Sequence, residues 1–185
     1  LMSIINTLDY IYMTMRNVKF IEHDFDEANL RKEAESFDMW DKYTDPRYPD
    51  GEKSPFEVVY WDESIQNIPT AYKEGYKFLD KYGLLEYKWT ILYHKLLANS
   101  VLIPHTDHNC LAAVNCILND DDMNSKIQFY DDEGIEIVQY KKAIINTDAM
   151  HSVKNGPQDR WIFKIGFSDI SINELDERIN NLCTT

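Results

Sequence analysis

Apolar residues recur at helical spacing over residues 26–37, DEANLRKEAESF, where Ala28, Leu30, Ala34 and Phe37 share one side and Asp26 and Glu27 suit the positive end of a helix dipole. A second such stretch covers residues 70–82, TAYKEGYKFLDKY, with Ala71, Tyr72, Phe78 and Leu79 on one side and Gly83 placed to stop it. Between them the run DPRYPDGEKSP, residues 45–55, collects three prolines and a glycine and reads as a surface loop. FEVVYW follows as a short strand candidate. The first half of the chain is therefore expected to be largely helical.

Beyond Gly83 the period changes. KWTILYHKLL, SVLIPH, LAAVNCIL, KIQFY, IEIVQY, KAIINT and RWIFKIGFS are short β-branched and aromatic runs separated by turn formers. Seven strands within about 80 residues imply a sandwich or barrel. Asn99-Ser100, Asn119 to Asn124, Asp131 to Gly134 and Asn155-Gly156-Pro157 supply the breaks. The acidic triplet Asp120 to Asp122 lacks the alternating ligands and glycine of a calcium loop and reads as a solvated hairpin tip. In the tail, SISINELDERINNL, Ser171 stands three residues before Glu174, a capping-box signature, and Leu175, Ile179 and Leu182 follow on one side. The expected organisation is one domain over 1–185: a helical part at 1–85, a β core at 86–170 and a closing helix at 171–185.

With 185 residues, 44% hydrophobic and 13% aromatic, the chain can build one core and is not a disordered protein. A net charge of −13 argues against a nucleic-acid partner, since that affinity comes from cations that displace condensed counterions. Cys110, Cys116 and Cys183 are an odd set without CxxC spacing, so neither a disulfide framework nor a zinc ribbon is indicated, and a reducing cytoplasm is the expected location. No stretch approaches the ~18 apolar residues of a membrane span, and the first residues lack the basic and apolar regions of a secretion signal.

The candidate chemistry lies in the second half: His105-Thr106-Asp107, then His151, then Arg160 nine residues later. Two imidazoles and a carboxylate can occupy one face of an octahedral metal and leave the other open, the arrangement of non-haem Fe(II) oxygenases. On a strand, residues 105 and 107 would point to one face. Each piece also has a plainer reading: a histidine beside an aspartate at a strand end, a histidine satisfied within the core, an edge-strand arginine facing water. A hairpin through KNGPQD would lay Arg160 on the strand beside His151, and its planar fork suits a carboxylate held bidentately. His108, three residues from His105, is expected to point the opposite way, as a supporting or surface group.

PHTDHNCLAAVNCILN, IQFY and NTDAMHSVKNGPQDRWIFKIGFSD together resemble the double-stranded β-helix core of 2-oxoglutarate/Fe(II)-dependent oxygenases, in particular the aspartyl/asparaginyl β-hydroxylase-like and prolyl-hydroxylase-like branches. The resemblance covers roughly residues 88–169 and implies a jelly-roll, cupin-like fold. It implies further that His105, Asp107 and His151 bind Fe(II) and that Arg160 holds the distal carboxylate of the co-substrate 2-oxoglutarate, with O2 as the second co-substrate. Asn115 falls where such enzymes often place a second polar contact to the co-substrate, although a buried structural amide is equally consistent with its strand parity. Tyr93 and Tyr130 are expected to pack rather than bind. Ala112, Ala113 and Val114 depart from the basic or imidazole side chains of the β-hydroxylase branch, which puts an aspartyl substrate in doubt. The implied activity is hydroxylation of an unidentified small molecule or protein side chain; the alternatives are a non-catalytic jelly-roll module and a cupin-like metalloenzyme that does not use 2-oxoglutarate.

Overall fold

A computed structural model describes residues 15–37, 41–42, 56–60, 68–119, 126–132 and 134–182. The proline-rich loop at 45–55, the acidic triplet and Cys183 lie outside these residues. Two antiparallel sheets form the body. The larger has the order β1 (Val18–Phe20), β9 (Lys142–Asn146), β6 (Ala112–Ile117), β11 (Arg160–Phe167), β4 (Trp89–Leu96), β3 (Phe56–Tyr60) and β2 (Asp41–Lys42). The smaller has the order β5 (Val101–His105), β10 (His151–Lys154), β7 (Lys126–Asp131) and β8 (Gly134–Val138). This is the jelly-roll architecture that the resemblance implies.

Period-two alternation assigns the two faces of the large sheet. On β4, Thr90, Leu92, His94 and Leu96 look into the space between the sheets, whereas Ile91 and Tyr93 join the opposite core. On β11, Arg160, Ile162 and Lys164 face the interior, while Phe163, Ile165 and Phe167 face outward. The outward side is sealed by three helices: α1 (Glu27–Glu35), α2 (Pro69–Lys81) and α3 (Ile172–Leu182). Leu30 and Ala34 of α1, Phe78 and Leu79 of α2, and Leu175 and Ile179 of α3 enter that core, where Phe25 stacks on Phe78 and meets Phe163 edge-on. A second apolar cluster joins the sheets through Ile117, Ile145 and Ile162 from one and Ile127, Phe129 and Val153 from the other.

Local chemistry sets the helix ends. Asp26 caps α1 by accepting from the Asn29 N–H at 3.2 Å, and the Glu174 N–H donates to Ser171 Oγ at 3.3 Å as the capping box predicts. Ile68 offers α2 no capping side chain, and Glu33 of α1 substitutes by accepting from the Thr70 and Ala71 N–H groups at 2.7 and 2.9 Å. The same carboxylate accepts from the Tyr93 hydroxyl at 2.8 Å, so Tyr93 packs behind the sheet as expected. Gly83 ends α2 at φ +63°.

Three expectations change. Both predicted helices form, but the first 85 residues also contribute β1, β2 and β3 to the large sheet and are not a largely helical half. The four-residue strand β10 adds to the seven expected strands; its sequence HSVK has one β-branched residue and gives no alternation to read. Finally, KNGPQD is not a hairpin. It crosses from β10 in the small sheet to β11 in the large one, pinned where Asn155 Nδ2 donates to the carbonyls of Leu96, Leu97 and Gln158 at 3.0, 2.8 and 2.9 Å.

Two outcomes follow for stability. A Cβ added at Gly75 would lie 2.5 Å from Ile91 Cδ1, so Gly75→Ala should destabilise the fold by about 1–3 kcal/mol through overpacking, outweighing the ~1 kcal/mol that alanine gains in helix propensity. Adding Ile91→Val removes the clashing methyl, and urea unfolding of the double variant should recover part of the loss. Burial among Phe25, Phe78 and Tyr82, reinforced by Lys81 and Lys77, pushes the His23 imidazole down to about 4. Because the folded value lies below the ordinary 6.5, this histidine favours folding above that pH and opposes it as pH falls toward 4. Stability should drop by on the order of 2 kcal/mol between pH 7 and 5 from this group, and His23→Phe should flatten that part of the profile.

Candidate metal centre

The small sheet brings the two imidazoles together by register. His151, opening β10, is the Cα partner of His105, which closes β5, and their rings lie 4.4 Å apart between centroids. A bulge interrupts the β10–β5 ladder between His151 and Val153, while on its other edge β10 pairs regularly with β7 and sets His151 opposite Phe129. Asp107 lies past the end of β5, so strand parity alone does not aim it. Instead its N–H donates to the Thr147 carbonyl at 2.9 Å, and the Thr147 hydroxyl donates to the Cys110 carbonyl at 2.8 Å. This small lattice turns the carboxylate inward: Asp107 Oδ1 is 3.3 Å from His105 Nε2 and 3.8 Å from His151 Nε2. One ligand atom from each of the three residues falls within 4.8 Å of the others.

Protonation suits the donor set to a cation. His105 Nδ1 is 2.8 Å from the Ile103 carbonyl and His151 Nδ1 is 2.9 Å from the Ala149 carbonyl. A carbonyl only accepts, so each Nδ1 carries a proton, and Nε2 is the ring atom that each histidine turns toward Asp107. Burial pushes the His151 imidazole down to about 4, against the pull of Asp107, and it is neutral near pH 7. Burial opposes ionisation of Asp107, yet Lys164 and His105 hold its carboxyl well below the usual carboxylate range. Two imidazoles, that of His151 neutral, beside an ionised carboxylate are a fitting donor set for a divalent transition metal.

Lys164 is the functional residue that the sequence reading missed. Its Nζ donates to Asp107 Oδ2 at 2.6 Å from a buried position, and Asp107 keeps it charged despite the burial. The signal was available: a lone cation inside the apolar run WIFKIGF, four residues after Arg160 and on the same strand face. His94 of β4 also lines this space and is kept neutral by burial and by the Lys164 charge.

The three residues border a cavity of about 350 Å³ between the sheets. Arg160, 2% exposed, lines it from the large sheet, facing the small sheet rather than lying beside His151, and its guanidinium rests 5.2 Å from the centre of the Tyr140 ring. Asn115 is buried in the same wall; its Nδ2 donates to the Tyr140 hydroxyl at 3.0 Å, and its Oδ1 has no hydrogen-bond partner among the described residues. Leu96, Leu102, Ile127 and Ile162 supply the apolar part of the wall. His108 is exposed at the rim, and Tyr130 stands outside the cavity, bonded to Gln128 and Ser152. Cys110 and Cys116 are free thiols, and no described helix is long and apolar enough to cross a membrane.

Neither a family model nor a curated protein matches the sequence. Solved structures do. A prolyl hydroxylase from Trichoplax adhaerens, in complex with a hypoxia inducible factor oxygen degradation domain peptide fragment, superposes with a TM-score of 0.63 at 10% identity, covering 93% of this chain and 91% of its own. A Pseudomonas putida prolyl-4-hydroxylase gives 0.58 at 11% identity over 82% of this chain and 91% of its own. HygX from Streptomyces hygroscopicus, with nickel and 2-oxoglutarate bound, gives 0.55 at 11% identity over 92% and 90%. The chain thus shares the fold of these proteins over 82–93% of its length.

Proposed function

We propose that this chain is a non-haem Fe(II)- and 2-oxoglutarate-dependent dioxygenase in which His105, Asp107 and His151 hold the metal, and Arg160 and Asn115 bind 2-oxoglutarate. The observation that carries this reading is the pair of Nε2 atoms facing one oxygen of an ionised carboxylate at the wall of a cavity between the sheets. A structural histidine pair would have no need of this orientation. The fold shared with oxygenases, one of them holding nickel and 2-oxoglutarate, supports the same assignment.

When bound, iron and co-substrate supply the oxidising chemistry: dioxygen is consumed, 2-oxoglutarate loses carbon dioxide to become succinate, and the default outcome is hydroxylation of a C–H bond. The residues of this chain do the rest. Arg160 presents a fixed guanidinium, braced over Tyr140, to the distal carboxylate. Asn115 has an acceptor oxygen to spare in the same wall and aims its amide through Tyr140. Leu96, Ile127 and Ile162 exclude water, which strengthens each charge–charge contact inside. The carbonyls of Ile103 and Ala149 hold both imidazoles in the ligating tautomer.

The substrate class we assign is a small molecule or a protein side chain reached from the rim at Thr106, His108 and Asn109. We further take residues 1–185 to act as one domain, since β1 to β3 and the helices of the first part complete the sheet that carries Arg160, and we place the protein in a reducing, cytoplasmic setting because Cys110 and Cys116 are free thiols.

Arg160→Met, which keeps side-chain length, should weaken 2-oxoglutarate binding by about 100-fold, roughly 3 kcal/mol, while Mn(II) affinity stays within about threefold, as calorimetry with each ligand would show. Equal loss of both would count against the role of Arg160. Asp107→Ala or His151→Ala should abolish substrate-independent succinate release. Turnover unchanged in either variant removes that residue from the metal shell, and absence of succinate release in the unaltered protein with Fe(II), 2-oxoglutarate and O2 rejects the dioxygenase reading.

A further inference from the structure

We infer that Lys164 is a positioning residue of the metal centre: by retaining Asp107 Oδ2 it confines that carboxylate to one donor oxygen and so keeps a coordination position open. The inference rests on the assignment of His105, Asp107 and His151 as the metal-holding set. The two oxygens of Asp107 have separate duties. Oδ1 faces both Nε2 atoms at 3.3 and 3.8 Å, and Oδ2 accepts from Lys164 Nζ at 2.6 Å.

The lysine is well placed to hold this division. It sits in the middle of β11 between two neighbours, registered against Asn115 of β6 and Leu92 of β4, so its backbone is fixed on both sides. Gly166, next on the same strand face, packs closely on its surroundings: a Cβ there would lie 3.0 Å from the Thr90 hydroxyl and 3.2 Å from Cys110 Sγ, with Lys164 Cε at an ordinary contact distance of 3.8 Å. A carboxylate without such a partner is free to close on a divalent ion through both oxygens. Of six octahedral positions, three protein donors leave three, whereas a two-oxygen aspartate would leave two. Three are needed to admit an oxo-acid through two atoms with one position to spare. A lysine that merely neutralised a buried carboxylate would affect stability and leave the hydration of the metal unchanged, so the test must read the metal itself.

Water-proton relaxivity of the Mn(II)-loaded full chain counts the exchangeable waters on the ion. The unaltered protein should show three, and adding 2-oxoglutarate should remove two of them. In Lys164→Met the count should fall to two, lowering relaxivity by about a third, and Lys164→Arg should restore it. Fewer than three waters on the unaltered protein overturns the proposal without any variant, so poor folding of Lys164→Met leaves it testable. Equal relaxivity in the unaltered protein and Lys164→Met overturns it as well. Failure of the unaltered protein to bind Mn(II) sinks the underlying metal assignment, a result distinct from a bound ion whose hydration ignores residue 164.

Discussion

The two sheets meet chemically at one carboxylate. Asp107 receives imidazoles from β5 and β10 of the small sheet on one oxygen and the ammonium of Lys164, from the centre of the large sheet, on the other. A buried ion pair of this kind is not in itself a strong source of stability, because desolvation offsets most of the attraction. Its value is geometric. Removing either charge strands the other in a low-dielectric interior at a cost of about 3–5 kcal/mol, so the pair resists rearrangement. The ionised state of the aspartate and its position beside both imidazoles depend on that pairing.

Around this point the fold separates packing from chemistry. Helices α1, α2 and α3 cover the back of the large sheet with an aromatic and aliphatic core, so the alternate residues of β4, β6 and β11 are free to carry polar groups forward. Arg160, Lys164, His94 and Asn115 all occupy such forward positions. A strand can bury charge on one face only if the other contributes enough apolar area, and Phe163, Ile165 and Phe167 do so on β11. Glu33 extends the same economy to the rear, where one carboxylate both caps α2 and receives Tyr93.

Much of this was legible in the chain. Both N-terminal helices, the closing helix and the strands with several β-branched or aromatic residues announced themselves by period, as did His105, Asp107, His151 and Arg160 by order and spacing. What escaped has identifiable causes. HSVK is too short and too polar to reveal β10, yet that strand sets the register of the two imidazoles. A turn-forming sequence such as KNGPQD looks alike whether it joins neighbours or crosses between sheets; the difference lies in Asn155 reaching the carbonyls after β4, a contact made only in three dimensions. Strand parity is the sequence argument for Asp107, whereas a backbone bond from its N–H to the Thr147 carbonyl positions it. Lys164 shows in the sequence only as a lone cation in an apolar run, and its role comes from β11 lying inside the sheet, where the side chain meets Asp107.

The local anchoring of the imidazoles carries one more consequence. Each Nδ1 bonds to a carbonyl two residues back along its own chain, Ile103 for His105 and Ala149 for His151, rather than to a mobile side chain. Ring direction and proton location are then inherited from the backbone, whatever occupies the pocket. A cation can leave and another arrive with no ring to be turned and no tautomer to be exchanged at Nδ1, so the walls of the centre keep one arrangement through the exchange.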